Sequence, residues 1–434
     1  MSSQILKNTH IPASEAVRLP QSSSLQNLEP AFILDVTATL DERGCTVRKL
    51  LDNAHLAVAP LREPKLILHS HLPHLLGSAY FLGASREQLE KLYTHEISTL
   101  VHVDETFIRG GAIDRSSWRE FLAQKPYTVA YVEFFDGEVK RNDGNWKEVL
   151  EHYLFYGKEP LINGFIGGLA HPFIHLAYAW ELQSASVATE ALSLGCTEYI
   201  PLHTLLDEYP PDNSMYKTTS LADVIKCVHD DKRFDGLFEY QGITNVQVLL
   251  QERYDALLEH WNAWEVTDPL RQLEQCCDTS VLLAIGTGNR EQKYDFYLIH
   301  TMTVAHALRV LWHFIPEKHR APVLRQYALF TIMVYICQLR PDFDIDIIDR
   351  IHSVSVVGID WDTLRKRTIG HKWYKDSHFF KVVRAPKVFE DAYNRKDYFY
   401  LQAAAKFVAE FDGWEGFGLG VEGFLPNRDG YVPE

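Results

Sequence analysis

The 434-residue chain lacks the features that mark several large classes of protein. Its six cysteines form no Cys-x-x-Cys pair, and the adjacent Cys276 and Cys277 suit neither a zinc knuckle nor an easy disulfide. Lys and Arg total 43 against 58 Asp and Glu, the net charge is -15, and the basic residues form no run. A phosphate-backbone partner is therefore disfavoured, and we expect no binding to nucleic acid.

Long apolar runs are also missing. The longest extends from Ala328 to Cys337 and is interrupted by Thr331, so it reaches about half of the ~20 residues that a membrane helix requires. The first residues, Met1 to Lys7, are polar and lack the apolar centre of a secretory signal. We expect no membrane association, a cytoplasmic location and reduced thiols.

Sequence motifs of common enzyme classes are absent as well. No Walker loop, no Gly-x-Ser-x-Gly elbow and no His-Glu-x-x-His occurs. Gly418 to Gly423 fits Gly-x-Gly-x-x-Gly, but no strand precedes it and too few residues follow it to form the helix that would bind a pyrophosphate. The sequence therefore contains no motif that indicates nucleotide hydrolysis, α/β-hydrolase chemistry or zincin proteolysis.

What the sequence does contain is helical periodicity over most of its length. It predicts a mainly α fold, with one large helical domain at 31–434 and a loose N-terminal arm at 1–30 that is rich in Ser, Gln, Asn and Pro. The predicted helical stretches are 72–82, 86–100 after a Ser85 cap, one opening at Trp118, 149–156, 172–194, 246–264, 296–314, 321–339 and 401–411.

Two segments are harder to interpret. Tyr127 to Phe135 is β-branched and aromatic like a strand, but it lies between helical stretches without a partner of similar character, and we favour a helix. The stretch from Glu208 to Thr219 contains Pro210-Pro211-Asp212-Asn213, which indicates a surface loop. Such a loop could serve as a lid.

The most informative stretch places His171 and His175 four residues apart among apolar residues. Residues at this spacing share one face of a helix, and Pro172 suits a first helical turn. Gly167 and Gly168, just before the pair, permit a close approach of another element. Each imidazole could instead satisfy a carbonyl or face water, which is the commoner role of a histidine pair.

Further histidines occur in three distant segments. His71 and His74 fall where a helix begins under the core, and the neighbouring His69 is expected on the opposite side. His300 is a lone polar residue in an apolar stretch, whereas His306 is expected on the reverse face, at the surface. Taken singly, each of these is more often structural than a ligand.

The fourth segment combines His378 with Lys381 in an otherwise strongly apolar run. Such a lysine usually reaches solvent or pairs with a carboxylate such as that of Asp376. A truly buried lysine has a lowered pKa, so its neutral amine could act as a base or take up carbon dioxide as a carbamate.

These segments together resemble the questin oxidase-like family of fungal polyketide pathways, which includes Baeyer–Villiger-type oxidases of aflatoxin and anthraquinone biosynthesis. The resemblance extends from about residue 60 to 412. It is carried by four ordered blocks, which are His71-Leu72-Pro73-His74 with Tyr80 to Ser85, Gly167 to Tyr178, Asp295 to His300, and Asp376 to Ala385.

The resemblance implies an oxygenase that takes an aromatic polyketide, an anthraquinone, together with dioxygen and opens the ring to a benzophenone-type product. Some members resemble non-haem Fe(II) oxygenases with four histidines and a carboxylated lysine, and others are described as needing neither metal nor flavin. Mapped onto this sequence, the iron-type ligands are His74, His171, His175, His300 and Lys381. The same mapping gives His71 and His378 proton-transfer roles, and Tyr80 and Tyr178 are pocket-wall candidates for substrate binding.

Three functions follow as alternatives. The first is iron-dependent ring cleavage, and the second is a metal- and flavin-independent reaction of a reduced anthraquinone with dioxygen, in which His71, His175 or His378 acts as general base. The third is a non-catalytic helical ligand carrier. The sequence leaves open whether NADPH takes part, and a homodimer is one oligomeric state that it leaves open.

Overall fold

Helices make up most of the computed structural model, which describes residues 9–10, 17, 19, 27–35, 41–62, 68–288, 293–349, 358–395 and 397–418. The α-helices in these ranges are α1 (Glu42–Ala57), α2 (Leu72–Phe81), α3 (Arg86–Ile97), α4 (Thr128–Arg141), α5 (Trp146–Phe155), α6 (Gly167–Leu182), α7 (Ala185–Thr197), α8 (Thr204–Asp207), α9 (Leu221–Asp230), α10 (Asn245–Glu252), α11 (Tyr254–Ala263), α12 (Pro269–Ile285), α13 (Leu298–Leu311), α14 (Glu317–Cys337), α15 (Ile345–Asp349), α16 (Trp361–Ile369), α17 (Ser377–Tyr393) and α18 (Phe399–Glu410). The predicted mainly α fold is confirmed.

The strands are short and form three small sheets in the described ranges. Their bounds are β1 (Thr9–His10), β2 (Val58–Arg62), β3 (Leu68–His69), β4 (Leu100–His102), β5 (Tyr216–Lys217), β6 (Tyr294–Asp295) and β7 (Trp414–Glu415). β2 pairs antiparallel with both β3 and β4, whereas β1 pairs in parallel with β5 and β6 with β7. These sheets join loops to the helical body and do not form a layer of their own.

Helix starts follow the capping chemistry of the sequence. Ser85 accepts a hydrogen bond from the Gln88 backbone while the Gln88 side chain accepts from the Ser85 backbone, a complete capping box at the predicted start of α3. Asp376 caps α17 by accepting from the backbone N–H groups of His378 (2.7 Å) and Phe379 (3.0 Å). The Asp376 carboxylate therefore fixes the first turn of the helix that carries His378 and Lys381.

Three helix predictions were wrong in detail. The predicted helix 172–194 is two helices, because Gln183 adopts a left-handed conformation and Ser184 caps α7. The stretch 246–264 breaks at Arg253 between α10 and α11. Trp118 opens only a short 3-10 helix, Trp118–Phe121. By contrast, the helix favoured for Tyr127 to Phe135 is confirmed as α4.

Four helices form the centre of the molecule. α13 packs against α6 and α17, and α2 packs against α6 and α17. Their apolar residues belong to one continuous hydrophobic core that extends through most of the described chain. Each of the four carries a histidine close to its N-terminus, so the bundle brings distant parts of the sequence to one place.

The loop predicted as a lid is fixed to the body. Lys217 contacts Asp212 and donates to the carbonyl of Asn262 (3.1 Å). No described residue between Glu208 and Thr219 lines the cavity beside the histidines, so its placement does not fit a lid over that cavity.

Most of the arm at 1–30 lies outside the described residues, although Thr9–His10 pairs with β5 and Leu28 is buried. No described helix combines the length and apolar character needed to cross a bilayer.

Candidate active site

The predicted histidines and lysine converge. All of them are buried, and their rings form a connected cluster at the N-terminal ends of α2, α6, α13 and α17. The ring centroids lie 4.6 Å apart for His71–His378, 5.0 Å for His71–His171, 5.1 Å for His74–His175, 5.2 Å for His300–His378 and 5.5 Å for His171–His300. We call this group, with Lys381, the histidine cluster.

A strained turn positions the first histidine of α6. Gly168, Leu169 and Ala170 have φ of +54°, +55° and +58°, and regular helical geometry begins only at His171. A Cβ on Gly167 would meet the Glu198 carbonyl at 1.7 Å, and one on Gly168 would meet His69 at 2.9 Å. The two glycines thus permit the predicted close approach, and the left-handed residues around them carry strain of the kind found at functional sites.

The hydrogen bonds fix which ring nitrogens face inward. His171 Nδ1 lies 2.7 Å from the carbonyl of Gly168, and His300 Nδ1 lies 2.7 Å from the carbonyl of Phe296. A carbonyl only accepts, so both rings donate from Nδ1, and each neutral ring carries a lone pair on Nε2. His71 Nε2 then donates to His171 Nε2 across 2.8 Å, while His300 Nε2 has no partner among the described residues.

His175 is oriented by a chain of paired groups that leads outward. Its Nε2 donates to Glu190 (3.0 Å), and the other Glu190 oxygen accepts from His55 Nδ1 (2.8 Å). His55 Nε2 in turn donates to Asp136 (3.0 Å). Burial opposes the charged forms of Glu190 and His55, but these hydrogen bonds outweigh it, lowering the pKa of Glu190 to about 2 and raising that of His55 to about 10.

The inward-facing atoms of the cluster are left without partners. Within the described residues, no hydrogen bond is made by either ring nitrogen of His74, by His175 Nδ1, by His378 Nε2 or by Lys381 Nζ. Buried polar groups are normally paired, because leaving one unpaired costs roughly 1–3 kcal/mol. So many unpaired atoms in one place are the mark of a site that binds something.

Burial and electrostatics keep five imidazoles of the cluster neutral. Burial, reinforced by neighbouring cationic side chains, lowers the pKa of His71, His74, His171 and His378 well below the usual range and that of His300 to about 3. Burial also lowers the pKa of Lys381 to about 7, although Asp376 and Glu96 oppose it. Near neutral pH, the rings are therefore bases, and a substantial fraction of Lys381 is a free amine.

The N-terminal ends of α2, α13 and α17 place partial positive charge beside the cluster. His71 is the N-cap of α2, and His300 and His378 lie in the first turns of α13 and α17. The N-terminus of a helix carries a partial positive charge, so several such ends pointing at one centre disfavour imidazolium and favour a bound anion.

The cluster has the donor chemistry of a metal centre, but its side chains are not closed around one point. Imidazole nitrogens are common ligands of iron, and a carboxylated lysine adds an oxygen ligand. In the part of the chain that the structure describes, no three His, Cys, Asp or Glu side chains already form a metal-holding group. The unpaired ring nitrogens and the His171 Nε2, which accepts from His71, are donors of the chemical kind that iron binds.

A cavity of about 450 Å³ adjoins the cluster. Its volume is within the range of about 300–1,000 Å³ usual for small-molecule sites. Its walls are mainly apolar, with polar groups from His69, His71, His171, Glu198 and Lys125 at one side. A flat aromatic molecule inside it would contact His71 and His171.

Four of these cavity residues were missed by sequence reasoning or misplaced. His69 was expected on the opposite side, yet it stacks on His171 (4.4 Å) and its Nε2 lies 2.7 Å from Glu198. Lys125 binds the same Glu198 oxygen (2.7 Å), and Phe296 packs on His378 (4.5 Å). The signal for His69 was its position two residues before His71, because alternate residues of an extended segment share a side.

Two other predictions need correction. Tyr80 is not brought to the cluster: it is partly exposed and packs against Phe81 beneath the Arg43 guanidinium. His306, expected at the surface, is buried and lies 3.5 Å from Glu181. Tyr178 does reach the cluster, where it stacks on His74 (5.0 Å) and shares a hydrogen bond with Ser78 (2.6 Å).

Comparison with known proteins places the chain in a family. Residues 68–386 match the questin oxidase-like family. The Baeyer-Villiger oxidase mdpL of Emericella nidulans is 22% identical over 344 residues, 74% of this chain and 75% of that protein. The oxidoreductase AflY of Aspergillus parasiticus is 22% identical, and the match covers 87% of this chain and 76% of AflY. The questin oxidase of Aspergillus terreus is 21% identical, and the match covers 74% of this chain and 74% of that protein. The chain therefore belongs to the questin oxidase-like family and is an oxidoreductase.

Proposed function

We propose that this protein is an oxygenase that opens the ring of an anthraquinone-type polyketide by oxidative C–C cleavage, giving a benzophenone-type product. The observation that carries the proposal is a buried histidine cluster with unpaired ring nitrogens on His74, His175, His300 and His378, next to a mainly apolar cavity that its members His71 and His171 line. The names of its relatives, among them a questin oxidase and several Baeyer-Villiger oxidases, support the same reaction class.

The cavity suits a planar phenolic substrate. Apolar side chains hold the ring system, and His71 and His171 border the cavity on the side where the helix N-termini converge. A hydroxyanthraquinone carries acidic phenols, and the positive helix ends favour its phenolate form. His71 lines the cavity, and its lowered pKa keeps it neutral and able to accept a phenolic proton, while His378, whose ring centroid lies 4.6 Å from that of His71, would be the next group in the transfer.

We assign a metal to the unpaired atoms. His74, His171, His175 and His300 would hold Fe(II), with Lys381 as its carbamate. Bound iron would supply the one-electron chemistry that activates dioxygen. The lowered pKa of Lys381 supports carbamate formation, since the free amine adds to the carbon of carbon dioxide and releases one proton, leaving a carboxylate. Glu190 would keep His175 Nδ1 aimed at the centre.

Metal analysis combined with one substitution tests this assignment. We expect about one iron per chain in the wild type, loss of iron and of activity in Lys381→Met, and neither loss in Lys366→Met, a control on an exposed lysine of α16. Activity is measured as ring-opened product from a panel of hydroxyanthraquinones. Full activity after exhaustive chelation, or an unaltered Lys381→Met enzyme, contradicts the iron site.

One observation favours a second candidate mechanism. The cluster side chains do not stand in a closed ligand set within the described ranges, and their rings are neutral bases. A metal- and flavin-independent oxygenase would use His71, His175 or His378 to deprotonate a reduced anthraquinone, which then reacts with dioxygen directly. In that case, NADPH would serve to reduce the substrate, and activity would survive chelation but require the reduced anthraquinone.

A further inference from the structure

A second pocket, of about 460 Å³, lies beyond the histidine cluster on the same four helices. Phe81 of α2, Glu181 of α6, Arg309 of α13 and Arg384 of α17 line it, each further along its helix than the histidine of the cluster. A layer containing Tyr178 separates the two sites, since this ring stacks on His74 on one side and lies 5.3 Å from the Arg384 guanidinium on the other.

The floor of this pocket holds a cation without a counter-ion. Arg309 is 3% exposed, donates from Nη2 to the backbone carbonyl of Glu29 (2.7 Å), and has no partner at Nε or Nη1 among the described residues. Burial lowers its pKa, and the nearby Glu181 carboxylate, which acts in the opposite direction, does not outweigh the loss of water. A buried, unpaired guanidinium is costly unless a ligand supplies the acceptor.

The other charges of the pocket do not neutralise it. Glu181 is bound by both terminal nitrogens of Arg384, one at 2.8 Å, so its charge is matched. Lys387 pairs with Asp391 (2.5 Å), and Arg365 pairs with Asp362 outside the pocket. Among the cationic residues that line the pocket, Arg309 is thus the one without a side-chain ion pair in the described structure.

The opposite wall is aromatic and open. Phe32 is 73% exposed and contacts Phe81 edge-on, with ring centroids 5.9 Å apart. The backbone of this segment is held in place, since the Leu34 amide donates to the carbonyl of Glu181 (2.7 Å) and Arg309 binds Glu29. A large apolar side chain kept at the surface beside a cationic floor is typical of a binding site.

We infer that this pocket binds a small organic carboxylate whose apolar ring packs against Phe32 and Phe81 while its carboxylate pairs with Arg309. An arginine recognises a carboxylate through two parallel N–H donors, which Arg309 can supply from its unused Nε or Nη1 together with the second hydrogen of Nη2. The site is separate from the cavity at His69 and His171 and does not depend on the reaction proposed above.

Isothermal titration with 2-benzoylbenzoate tests the inference, with its neutral primary amide and inorganic phosphate as matched probes. We expect one site per chain, at least about tenfold weaker binding of the amide, and little binding of phosphate, which lacks a ring. Strong phosphate binding at the same site would mean that the ring is not recognised and would overturn the inference.

Three variants locate the site. Arg309→Met and Phe32→Ser should each weaken 2-benzoylbenzoate binding at least about tenfold, and the second changes an exposed side chain, so the fold is retained. Val246→Trp, which fills the cavity beside the histidine cluster, should leave binding unchanged. Unaltered binding in Phe32→Ser, loss in Val246→Trp, or no binding by the wild type contradicts the site.

Discussion

The two ends of the central four helices solve the problem of buried polar groups in opposite ways. At the histidine end, ring nitrogens and an amine face each other without partners in the described structure. Further along the same helices, Glu181 and Arg384 form a two-point ion pair with His306 at 3.5 Å from Glu181, and Arg309 is the exception, with two unpaired nitrogens in the described structure. The difference indicates which groups serve stability and which serve binding. Paired groups stabilise the helix bundle, whereas unpaired groups lower its stability and are kept because they can bind a ligand.

Breaking the paired end should have the largest effect on stability. Arg384→Met leaves the Glu181 carboxylate buried and without its strongest partner, so we expect a loss of about 3–5 kcal/mol in the free energy of unfolding. Urea denaturation measures it. The control Lys226→Met removes an exposed ion pair with Asp230 and should change stability by less than about 1 kcal/mol. Equal effects of the two substitutions would mean that burial of the Glu181–Arg384 pair is unimportant.

The hydrogen-bonded series from His175 through Glu190 to His55 predicts that the stability of the protein depends on pH. The pKa of His55 is raised to about 10 in the folded protein, above its value of about 6.5 in the unfolded chain. Its contribution to the free energy of unfolding is therefore fully present below pH ~6.5 and falls by about 1.4 kcal/mol for each pH unit as the pH rises towards ~10. Urea denaturation of the wild type and His55→Gln at several pH values measures it, and their difference should shrink across this window. A constant difference contradicts the proposed charge on His55.

Glu190→Gln tests whether the hydrogen bonds of Glu190 to His175 and His55 support metal binding at the histidine cluster. The substitution keeps the shape but removes the charge that His175 and His55 share, so we expect a loss of about 1–3 kcal/mol in stability. If His175 is a ligand, iron affinity should also fall about 10–100-fold, measured by competition with a chelator. Unchanged iron affinity would limit Glu190 to a structural role.

A substitution that removes an unpaired histidine should raise the stability of the protein rather than lower it. His74→Leu removes a buried ring whose two nitrogens have no partner in the described structure, so the metal-free protein should gain up to about 1–2 kcal/mol while ring-opening activity is lost. Thermal unfolding and product formation are measured on the same preparation. A destabilised variant would show that His74 is held for packing.

Much of this arrangement could be predicted from the sequence, because the helical period and the histidine spacings are local signals. The spacing of His171 and His175 predicts two rings on one inward face, and Ser85 predicts the start of α3, and both predictions agree with the structure. Long-range packing was not accessible in the same way. Nothing local separates His306, buried against Glu181, from a surface histidine, and Tyr80 turns outward because its neighbour Ala79 faces the core.

The missed residues depend on backbone geometry that sequence patterns do not specify. His69 reaches the cluster from a two-residue strand, and the left-handed turn at Gly168 to Ala170 lets it stack on His171. The breaks at Gln183 and Arg253 interrupt continuous helical periodicity, because tertiary packing there outweighs local preference. Of the two, only the first carries a readable signal, the capping serine at Ser184.

The most direct test of the account is the fate of labelled dioxygen. Wild-type protein is incubated with a hydroxyanthraquinone and ¹⁸O₂, once with Fe(II) and once with the chemically reduced anthraquinone and a chelator, and the products are analysed by mass spectrometry. We expect a ring-opened product that carries ¹⁸O in at least one of these conditions and no such product from His74→Leu. Substrate recovered unchanged under both conditions would contradict an oxygenase centre at the histidine cluster.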